Sequence, residues 1–227
     1  MQAEAAIIIT ELSKSYHESG LRHDIFKELN LSVNRGEFIV LLGRSGSGKS
    51  TFLNLISGID CPDKGKIIIN NTNITGLSEH DRTLFRRHHI GFVFQSYNLI
   101  PTLTVAENLL LPLELIRRIT QKERDNVTEL LAKLNLADRL DSYPDRLSGG
   151  EQQRVAIARA LIHDPDVILA DEPTGNLDLD TGQQVLELLD ILVRKAGKTM
   201  IMVTHSQEVI GKADRVFSIK NKSLVIS

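Results

Sequence analysis

The residues best suited to chemistry form a glycine-rich loop. The loop runs Gly43, Arg44, Ser45, Gly46, Ser47, Gly48, Lys49 and Ser50 and satisfies the P-loop pattern. Glycines let backbone N–H groups close on phosphate oxygens, a following helix N-terminus adds positive potential, and Lys49 supplies a point charge. The Ser50 hydroxyl can ligate Mg²⁺. A flexible Gly/Ser turn is the alternative, but chance matches to the four fixed positions are expected in only about 1% of chains of this size.

Two adjacent carboxylates, Asp171 and Glu172, follow the apolar run from Val167 to Ala170. Open α/β sheets bind ligands at the ends of such strands. Asp171 can hold magnesium through its waters, while Glu172 can position the attacking water and accept its proton. Alone, the pair is typical of a solvated turn before Pro173. Beside a P-loop it favours phosphoryl transfer.

A second loop suited to anions begins at Ser148. Ser148 and Glu151 match a capping box at the start of a helix, and Gly149 and Gly150 expose backbone donors there. A well-capped structural helix is the alternative reading. The chain thus has two candidate phosphate sites far apart in sequence.

Alternating strands and helices must position these loops. Predicted strands are Ile7–Ile9, Leu29–Val33, Phe38–Leu42, Lys66–Ile69, Val167–Ala170, Thr199–Thr204 and a final β pair around Asn221 and Lys222. Predicted helices run from Lys49 to Ile56, from the cap Ser78 to near His89, and from about Asp180 to Lys195. This alternation indicates a mainly parallel α/β core.

Between Gln95 and about Pro144 strand signals almost vanish. Capping boxes pair Thr104 with Glu107 and Thr120 with Glu123 and so announce two helices. One apolar stripe follows the second box, formed by Val127, Leu130, Leu131 and Leu134. The pattern predicts a helical subdomain.

Composition narrows the class of protein. The 227 residues are 41% hydrophobic and 25% charged, which supports one globular domain. A net charge of −2 gives no basic footprint for nucleic acid. The single cysteine, Cys61, cannot form an internal disulfide, and a reducing cytosol is expected. No signal peptide is evident, and the apolar windows are shorter than the roughly 18 residues that a transmembrane helix needs.

The segment Leu147–Gln152 reads LSGGEQ and resembles the signature sequence of the ATP-binding cassette (ABC) family. The resemblance covers essentially the whole chain. It implies an α/β fold with a P-loop NTPase core, a mainly parallel sheet, an antiparallel β subdomain and an inserted α-helical subdomain. Residues 1–227 would form one ABC ATPase domain, with 1–95 and 146–227 as the core and β subdomain and 96–145 as the helical subdomain.

The same resemblance assigns roles to four further residues. Tyr16 resembles the aromatic residue on which adenine stacks, Gln95 the Q-loop glutamine, Asp178 the D-loop aspartate and His205 the switch histidine. Each also has a structural alternative: a half-buried strand residue, a turn cap, a helix-start residue and a capped polar group, respectively.

The family implies ATP and Mg²⁺ as ligands and a head-to-tail homodimer, so that a monomer hydrolyses ATP poorly. The implied catalytic residues are Lys49, Gln95, Glu172 as base and His205 at the γ-phosphate. The implied ligands of Mg²⁺ are Ser50, Gln95 and Asp171. The implied ATP-binding residues are Tyr16, Gly43 to Thr51, and, from the partner, Ser148, Gly149, Gly150 and Asp178.

Longer stretches, Gly91–Pro101 and Asp171–Asp178 with Glu107 and Asn108, are similar to one bacterial branch. It contains lipoprotein-releasing, macrolide-exporter and antimicrobial-peptide-exporter ATPase subunits. The branch implies a permease partner with a large extracytoplasmic domain and a peripheral location at the cytoplasmic face of the inner membrane. The residues that contact the permease would be Leu99, Ile100, Pro101 and Leu103, and a place in the buried core is an equal alternative for them.

Three alternatives remain open at this point. A cell-division ABC ATPase is related to the same branch. A soluble ABC ATPase acting in DNA repair or on ribosomes is disfavoured, because no coiled-coil or zinc insertion and no second cassette is present. A module that binds ATP without hydrolysing it is disfavoured by the intact Glu172 and His205.

Overall fold

A computed structural model describes residues 4–18, 20–44 and 46–226. The strands are β1 (Ala5–Glu18), β2 (Leu21–Asn34), β3 (Phe38–Leu42), β4 (Lys64–Ile69), β5 (Thr72–Asn73), β6 (Ile90–Phe94), β7 (Val167–Asp171), β8 (Thr199–Thr204), β9 (Arg215–Lys220) and β10 (Ser223–Ile226). The helices are α1 (Lys49–Ile56), α2 (Glu79–His89), α3 (Val105–Glu114), α4 (Gln121–Lys133), α5 (Gly149–Leu161) and α6 (Leu179–Lys195). The predicted bounds of β3, β8 and α1 are confirmed.

The central sheet has six strands in the order β10-β9-β3-β8-β7-β6. All its pairs are parallel except the terminal hairpin of β9 and β10. Asn221 and Lys222 form the turn of that hairpin in the left-handed conformation, with φ of 50° and 64°. The expected parallel α/β core and the final β pair are therefore confirmed.

Successive residues of the central strands face two different cores. In β3, Ile39 and Leu41 pack with α1 and with strands β1, β2 and β4, whereas Phe38 and Val40 pack with α5 and α6. A strand buried on both faces carries a continuous apolar run because neither face meets water. This explains why β3 was readable from sequence.

The second sheet is antiparallel and has the order β2-β1-β4-β5. The prediction of short strands here is wrong in length, because β1 and β2 pair over 14 residues each. Glu11 and Glu28 have φ of 51° and 49° and lie at register shifts in the pairing. Such bulges break the two-residue alternation from which strands are recognised.

The stretch between β6 and α5 is helical. Thr104 and Glu107 form the predicted capping box of α3, and Glu123 accepts the Thr120 backbone N–H at 2.9 Å at the start of α4. Val127, Leu131 and Leu134 are buried in a third core with α3 and α5. The predicted helices are confirmed, while the boundaries at residues 95 and 146 stay predictions.

The edge strand β6 was not predicted. Gly91 in its second position breaks the apolar run, since glycine is depleted in strands. Its structural reason is close packing against α5: a Cβ at Gly91 would collide with the Ala160 carbonyl and lie 2.8 Å from Ile168 Cδ1. A side chain here would push the helix off the sheet.

Candidate functional site

Strand register brings the predicted reactive residues to one edge of the central sheet. The P-loop, Gln95, Glu172 and His205 each follow the last residue of a parallel strand. In the register, Leu42 of β3 lies opposite Thr204 of β8, and Asp171 of β7 lies opposite Val203. Phe94 of β6 lies opposite Asp171. Four segments distant in sequence therefore meet at one place.

A cavity of about 810 Å³ opens at this edge. It is lined by Tyr16, Ile25, Arg44, Gly46, Gly48, Lys49, Ser50, Thr51, Gln95, Asp171, Glu172 and His205. Its volume lies in the range of about 300 to 1,000 Å³ that small-molecule sites occupy. Gly43 and Ser47 belong to the same loop without lining the cavity, and the predicted Ser45 lies outside the described residues.

Lys49 holds a buried positive charge in the loop, with 7% of its surface exposed. Its Nζ donates to the carbonyls of Gly43 at 2.7 Å and Arg44 at 3.1 Å. The same Nζ lies 3.3 Å from Glu172 Oε1. A compact charge in a partly desolvated loop suits a polyanion such as a phosphate chain.

The loop also contains an unused polar atom. Within the described residues, Ser47 Oγ is buried and has no hydrogen-bond partner. A buried hydroxyl without a partner costs about 1 to 3 kcal/mol. A phosphate oxygen would satisfy it, so the loop fits the anion that its sequence pattern predicts.

Gly48 leaves no room for a side chain in the loop. Its φ is 98°, and a Cβ there would lie 2.7 Å from Ile25 Cγ2. We expect Gly48→Ala to weaken ATP binding at least about tenfold, because relieving the clash and the left-handed strain moves the backbone donors. Titration calorimetry with a non-hydrolysable ATP analogue measures this.

Gly197→Ala is the matched control, since Gly197 has a φ of 63° and a Cβ added there would meet nothing within 4 Å. It carries the backbone penalty far from the loop and should leave the dissociation constant unchanged. Equal affinity in Gly48→Ala and the wild type would show that loop geometry does not set binding.

Glu172 connects the loop to β8. Its Oε2 accepts the His205 backbone N–H at 3.2 Å and lies 2.7 Å from His205 Nδ1. Because a carboxylate can only accept, the proton of this pair belongs on Nδ1. Glu172 itself has a φ of 46°, and its N–H donates to the Val203 carbonyl at 2.9 Å. The left-handed backbone turns its side chain back toward Lys49 and His205.

Asp171 is a candidate ligand for a cation. Burial raises its pKa, the hydrogen bond from Ser50 opposes that rise, and the neighbouring charge of Glu172 adds to it. No group of three or more His, Cys, Asp or Glu side chains in residues 4–18, 20–44 and 46–226 could hold a metal alone. Mg²⁺, however, is usually bound by one or two carboxylates together with water and substrate phosphates. Asp171 and Ser50 fit that kind of site.

Gln95 is fixed by a residue that the sequence analysis did not single out. Gln95 Nε2 donates to Asn176 Oδ1 at 3.2 Å, and Asn176 Nδ2 donates to the Gln95 carbonyl at 3.0 Å. A Cβ at Gly175 would lie 2.7 Å from Gln95 Nε2. The turn after Glu172 therefore holds the loop after β6 in place.

The second predicted anion loop does not line this cavity. Ser148 caps α5: its N–H donates to Glu151 Oε2 at 2.8 Å, and its Oγ accepts the Glu151 N–H at 3.3 Å. Gly149 and Gly150 follow at the helix start, where a Cβ on Gly150 would lie 2.5 Å from Thr181 Cγ2. The P-loop and the loop at Ser148 therefore lie at different places on the same chain.

Asp178, predicted beside that loop, caps α6 by accepting the Thr181 N–H at 3.0 Å. It too lies outside the lining of the cavity. The hydrogen bonds from Thr181 lower the pKa of Asp178. Its position next to the start of α5 follows from the contact between Thr181 and Gly150.

Comparison with known sequences decides the family. The sequence model of the ABC transporter family matches residues 26–175, which is more than half of the chain. The chain belongs to the ABC transporter family. The resemblance found in the LSGGEQ segment is thus confirmed.

Named ABC relatives agree. The chain is 51% identical over 225 residues to an uncharacterized ABC transporter ATP-binding protein of Mycobacterium tuberculosis, covering 99% of this chain and 91% of the relative. It is 43% identical to the lipoprotein-releasing system ATP-binding protein LolD of Colwellia psychrerythraea, covering 90% and 80%. The macrolide export ATP-binding/permease protein MacB of Brucella melitensis is 40% identical, covering 99% of this chain and 35% of MacB.

A solved ABC structure shares the fold. The ATP-binding cassette MJ0796, in a dimeric post-hydrolysis state bound to ADP and Pi, superposes with a TM-score of 0.87 at 40% identity and covers 96% of each chain. The expected fold class and the lipoprotein-release and macrolide-exporter branch are confirmed. This ABC chain is an ATP-binding subunit that hydrolyses ATP.

The ABC chain has a second notable groove, of about 340 Å³, between β6, α3 and α5. Its apolar lining includes Phe92, Phe94 and Leu115, and its polar lining includes Arg87 and Arg159. None of the four residues predicted to contact the permease lines this groove. Leu99 packs against the helical core, Ile100 and Pro101 are exposed, and Leu103 is half-buried.

Arg159 ties this groove to the Gln95 loop. Its guanidinium donates to the carbonyls of Asn98 at 2.6 Å and Tyr97 at 2.8 Å. Both acceptor residues have left-handed backbones, with φ of 51° and 58°. Nearby, burial lowers the pKa of His163, whose Nε2 lies 3.2 Å from the Ile90 carbonyl.

No helix within the described ranges has the length and apolar character of a membrane span.

Proposed function

We propose that this chain is the motor of a separate membrane permease of the lipoprotein-release and macrolide-export type. The observation that carries the hydrolytic part of the proposal is the position of Glu172 in a nucleotide-sized cavity, with Oε1 3.3 Å from Lys49 Nζ and Oε2 2.7 Å from His205 Nδ1. These distances support a site in which a base, a phosphate-binding cation and a histidine act on one phosphate group. The identities of 43% to LolD and 40% to MacB support the type of permease.

The reaction is attack of water on the γ-phosphorus of ATP. The new P–O bond forms as the bond to the bridging oxygen breaks, giving ADP and inorganic phosphate, and Glu172 accepts the proton that water releases. Lys49 and the N–H groups of the P-loop bind the phosphates, and His205 contacts the γ-phosphate. Mg²⁺, held by Ser50, Asp171 and Gln95, supplies charge neutralisation of the phosphates when bound.

The active unit is a head-to-tail homodimer. Because Ser148, Gly149 and Gly150 lie away from the cavity of their own chain, a second copy is needed to bring them to the bound ATP. Their helix N-terminus would offer N–H donors to the γ-phosphate from the opposite side. Asp178, adjacent to that helix start, would lie in the same contact.

The permease docks at the groove lined by Phe92, Phe94, Leu115, Arg87 and Arg159. An amphipathic helix with an acidic residue matches an apolar floor between two arginines. The exposed Ile100 and Pro101 would add contacts at one side. The motor would then sit peripherally on the cytoplasmic face of the inner membrane, under a permease with a large extracytoplasmic domain.

Co-purification tests the proposal. Glu172→Gln should retain ATP and slow turnover, so ATP-loaded protein is used to capture partners from detergent-solubilised native membranes, with Lys49→Ala as the non-binding control. We expect a membrane protein with a large extracytoplasmic domain in the Glu172→Gln sample. Recovery of a cell-division membrane protein would point to the related cell-division branch. Recovery of ribosomes or DNA-repair proteins alone would refute the transport role but not the ATPase.

A further inference from the structure

The aromatic side chain of Tyr16 is anchored by a polar network at the edge of the cavity. Its hydroxyl donates to Asp60 Oδ2 at 2.7 Å, and the Thr51 side chain of α1 interacts with the same hydroxyl. Burial, together with the acceptor Asp60, raises the pKa of Tyr16, so the hydroxyl stays protonated and keeps donating. Although 40% of Tyr16 is exposed, its ring has a fixed end.

Lys14 completes the network and lies against one face of the Tyr16 ring. It is 8% exposed, and its Nζ lies over the Tyr16 ring at 4.8 Å from the centroid. The same Nζ donates to Asp60 Oδ1 at 2.7 Å and to the Cys61 carbonyl at 2.8 Å. Asp60 Oδ1 also accepts the Cys61 N–H at 2.7 Å. A buried lysine with these partners is held in one position and covers one face of the ring.

The network joins the ring to the segment that follows the P-loop helix. Asp60 and Cys61 lie between the end of α1 and β4, and Asp63 of this segment accepts both the N–H and the hydroxyl of Ser15 at 2.7 Å. The Asp63 N–H donates to the Ser13 carbonyl at 2.8 Å. These hydrogen bonds therefore connect the Tyr16 ring on β1 to the segment after α1, the helix that begins at the phosphate loop.

We propose that Lys14 and Asp60 are positioning residues for the nucleotide base, holding the Tyr16 ring so that its uncovered face is presented to the purine. This rests on the proposed stacking role of Tyr16. Asp60 fixes the ring by its hydroxyl, and Lys14 both orients Asp60 and blocks the face that the base does not use. Neither side chain lines the cavity, so we expect the network to act mainly on the base.

The comparison of two ligands tests this. ATP carries base and phosphates, whereas inorganic tripolyphosphate carries phosphates only. In titration calorimetry, Tyr16→Phe, Asp60→Ala and Lys14→Met should each raise the dissociation constant of ATP about 3- to 10-fold, the loss expected for one hydrogen bond of ordinary strength. Their affinity for tripolyphosphate should stay within about twofold of the wild type. Tyr16→Phe combined with Asp60→Ala should be less than additive, because both remove the same bond.

Ser15→Ala is the matched control, since it removes the neighbouring bond to Asp63 and leaves the anchor of Tyr16 in place. Tyr16→Ala distinguishes the positioning role of Lys14 and Asp60 from the stacking role of Tyr16. If Tyr16→Ala loses ATP affinity while Asp60→Ala and Lys14→Met do not, the positioning role is wrong and the stacking role stands. If Tyr16→Ala binds ATP like the wild type, the stacking role fails as well. Equal losses for ATP and tripolyphosphate would mean that the network only maintains the fold.

Discussion

Replacing Glu172 by Gln is expected to lower ATP turnover at saturating ATP by about 10²- to 10⁴-fold, the usual contribution of a general base. The amide keeps the size of the side chain and can still accept the His205 N–H, but it cannot take a proton from water. ATP affinity should change little, because Lys49 and the P-loop donors are untouched. Phosphate release at saturating ATP measures turnover, and calorimetry with ATP measures binding.

Glu208→Gln is the control, because Glu208 is exposed three residues beyond His205 and makes the same change of charge. It should keep wild-type turnover. If Glu172→Gln hydrolysed ATP within about threefold of the wild type, another group would have to be the base, and the mechanism proposed for this cavity would be wrong.

A second large effect is expected on assembly. With Glu172→Gln and ATP, the protein should have twice the mass of the 25.3 kDa chain in light scattering. Adding Ser148→Arg should return it to a monomer, because a bulky cation at the start of α5 blocks the approach of the partner's nucleotide. ATP binding to the monomer should remain, since Ser148 does not line the cavity of its own chain.

Ser78→Arg offers a matched control for the lost helix cap. Ser78 caps α2 with φ of −64° and ψ of 162°, and Ser148 caps α5 with φ of −63° and ψ of 161°. Both changes should cost about 1 kcal/mol of stability, the usual value of a cap. Dimers that persist with Ser148→Arg, or that are lost equally with Ser78→Arg, would contradict the head-to-tail arrangement.

Local sequence signals were sufficient where the chain makes its own contacts. The cap of Ser78, the box of Thr104 and Glu107, and the bounds of α1 all depend on residues within one turn of each other. The apolar run of β3 was equally readable because both faces of that strand are buried. These elements place the P-loop, so the main feature of the site followed from sequence.

Other features depend on contacts between distant segments. The strand β6 contains a glycine that close packing against α5 requires, and the long pairing of β1 with β2 is interrupted by four register shifts. Asn176 and Asp60 are ordinary turn residues in sequence, and only the folded chain places them on Gln95 and Tyr16. No local pattern marks a residue whose partner lies far along the chain, at separations of 44 and 81 residues here.

Because Gln95, Glu172 and His205 lie directly at strand ends, a deletion within a strand would displace the residue that follows it. Deleting one residue inside β7 or β8 would pull the reactive group back by about 3.3 Å and exchange the two faces of the strand between the two cores. Deleting two would restore the facing and double the displacement. For β8, insertions and deletions should therefore be tolerated at the opposite edge of the sheet, in the turn around Gly197 that precedes the strand.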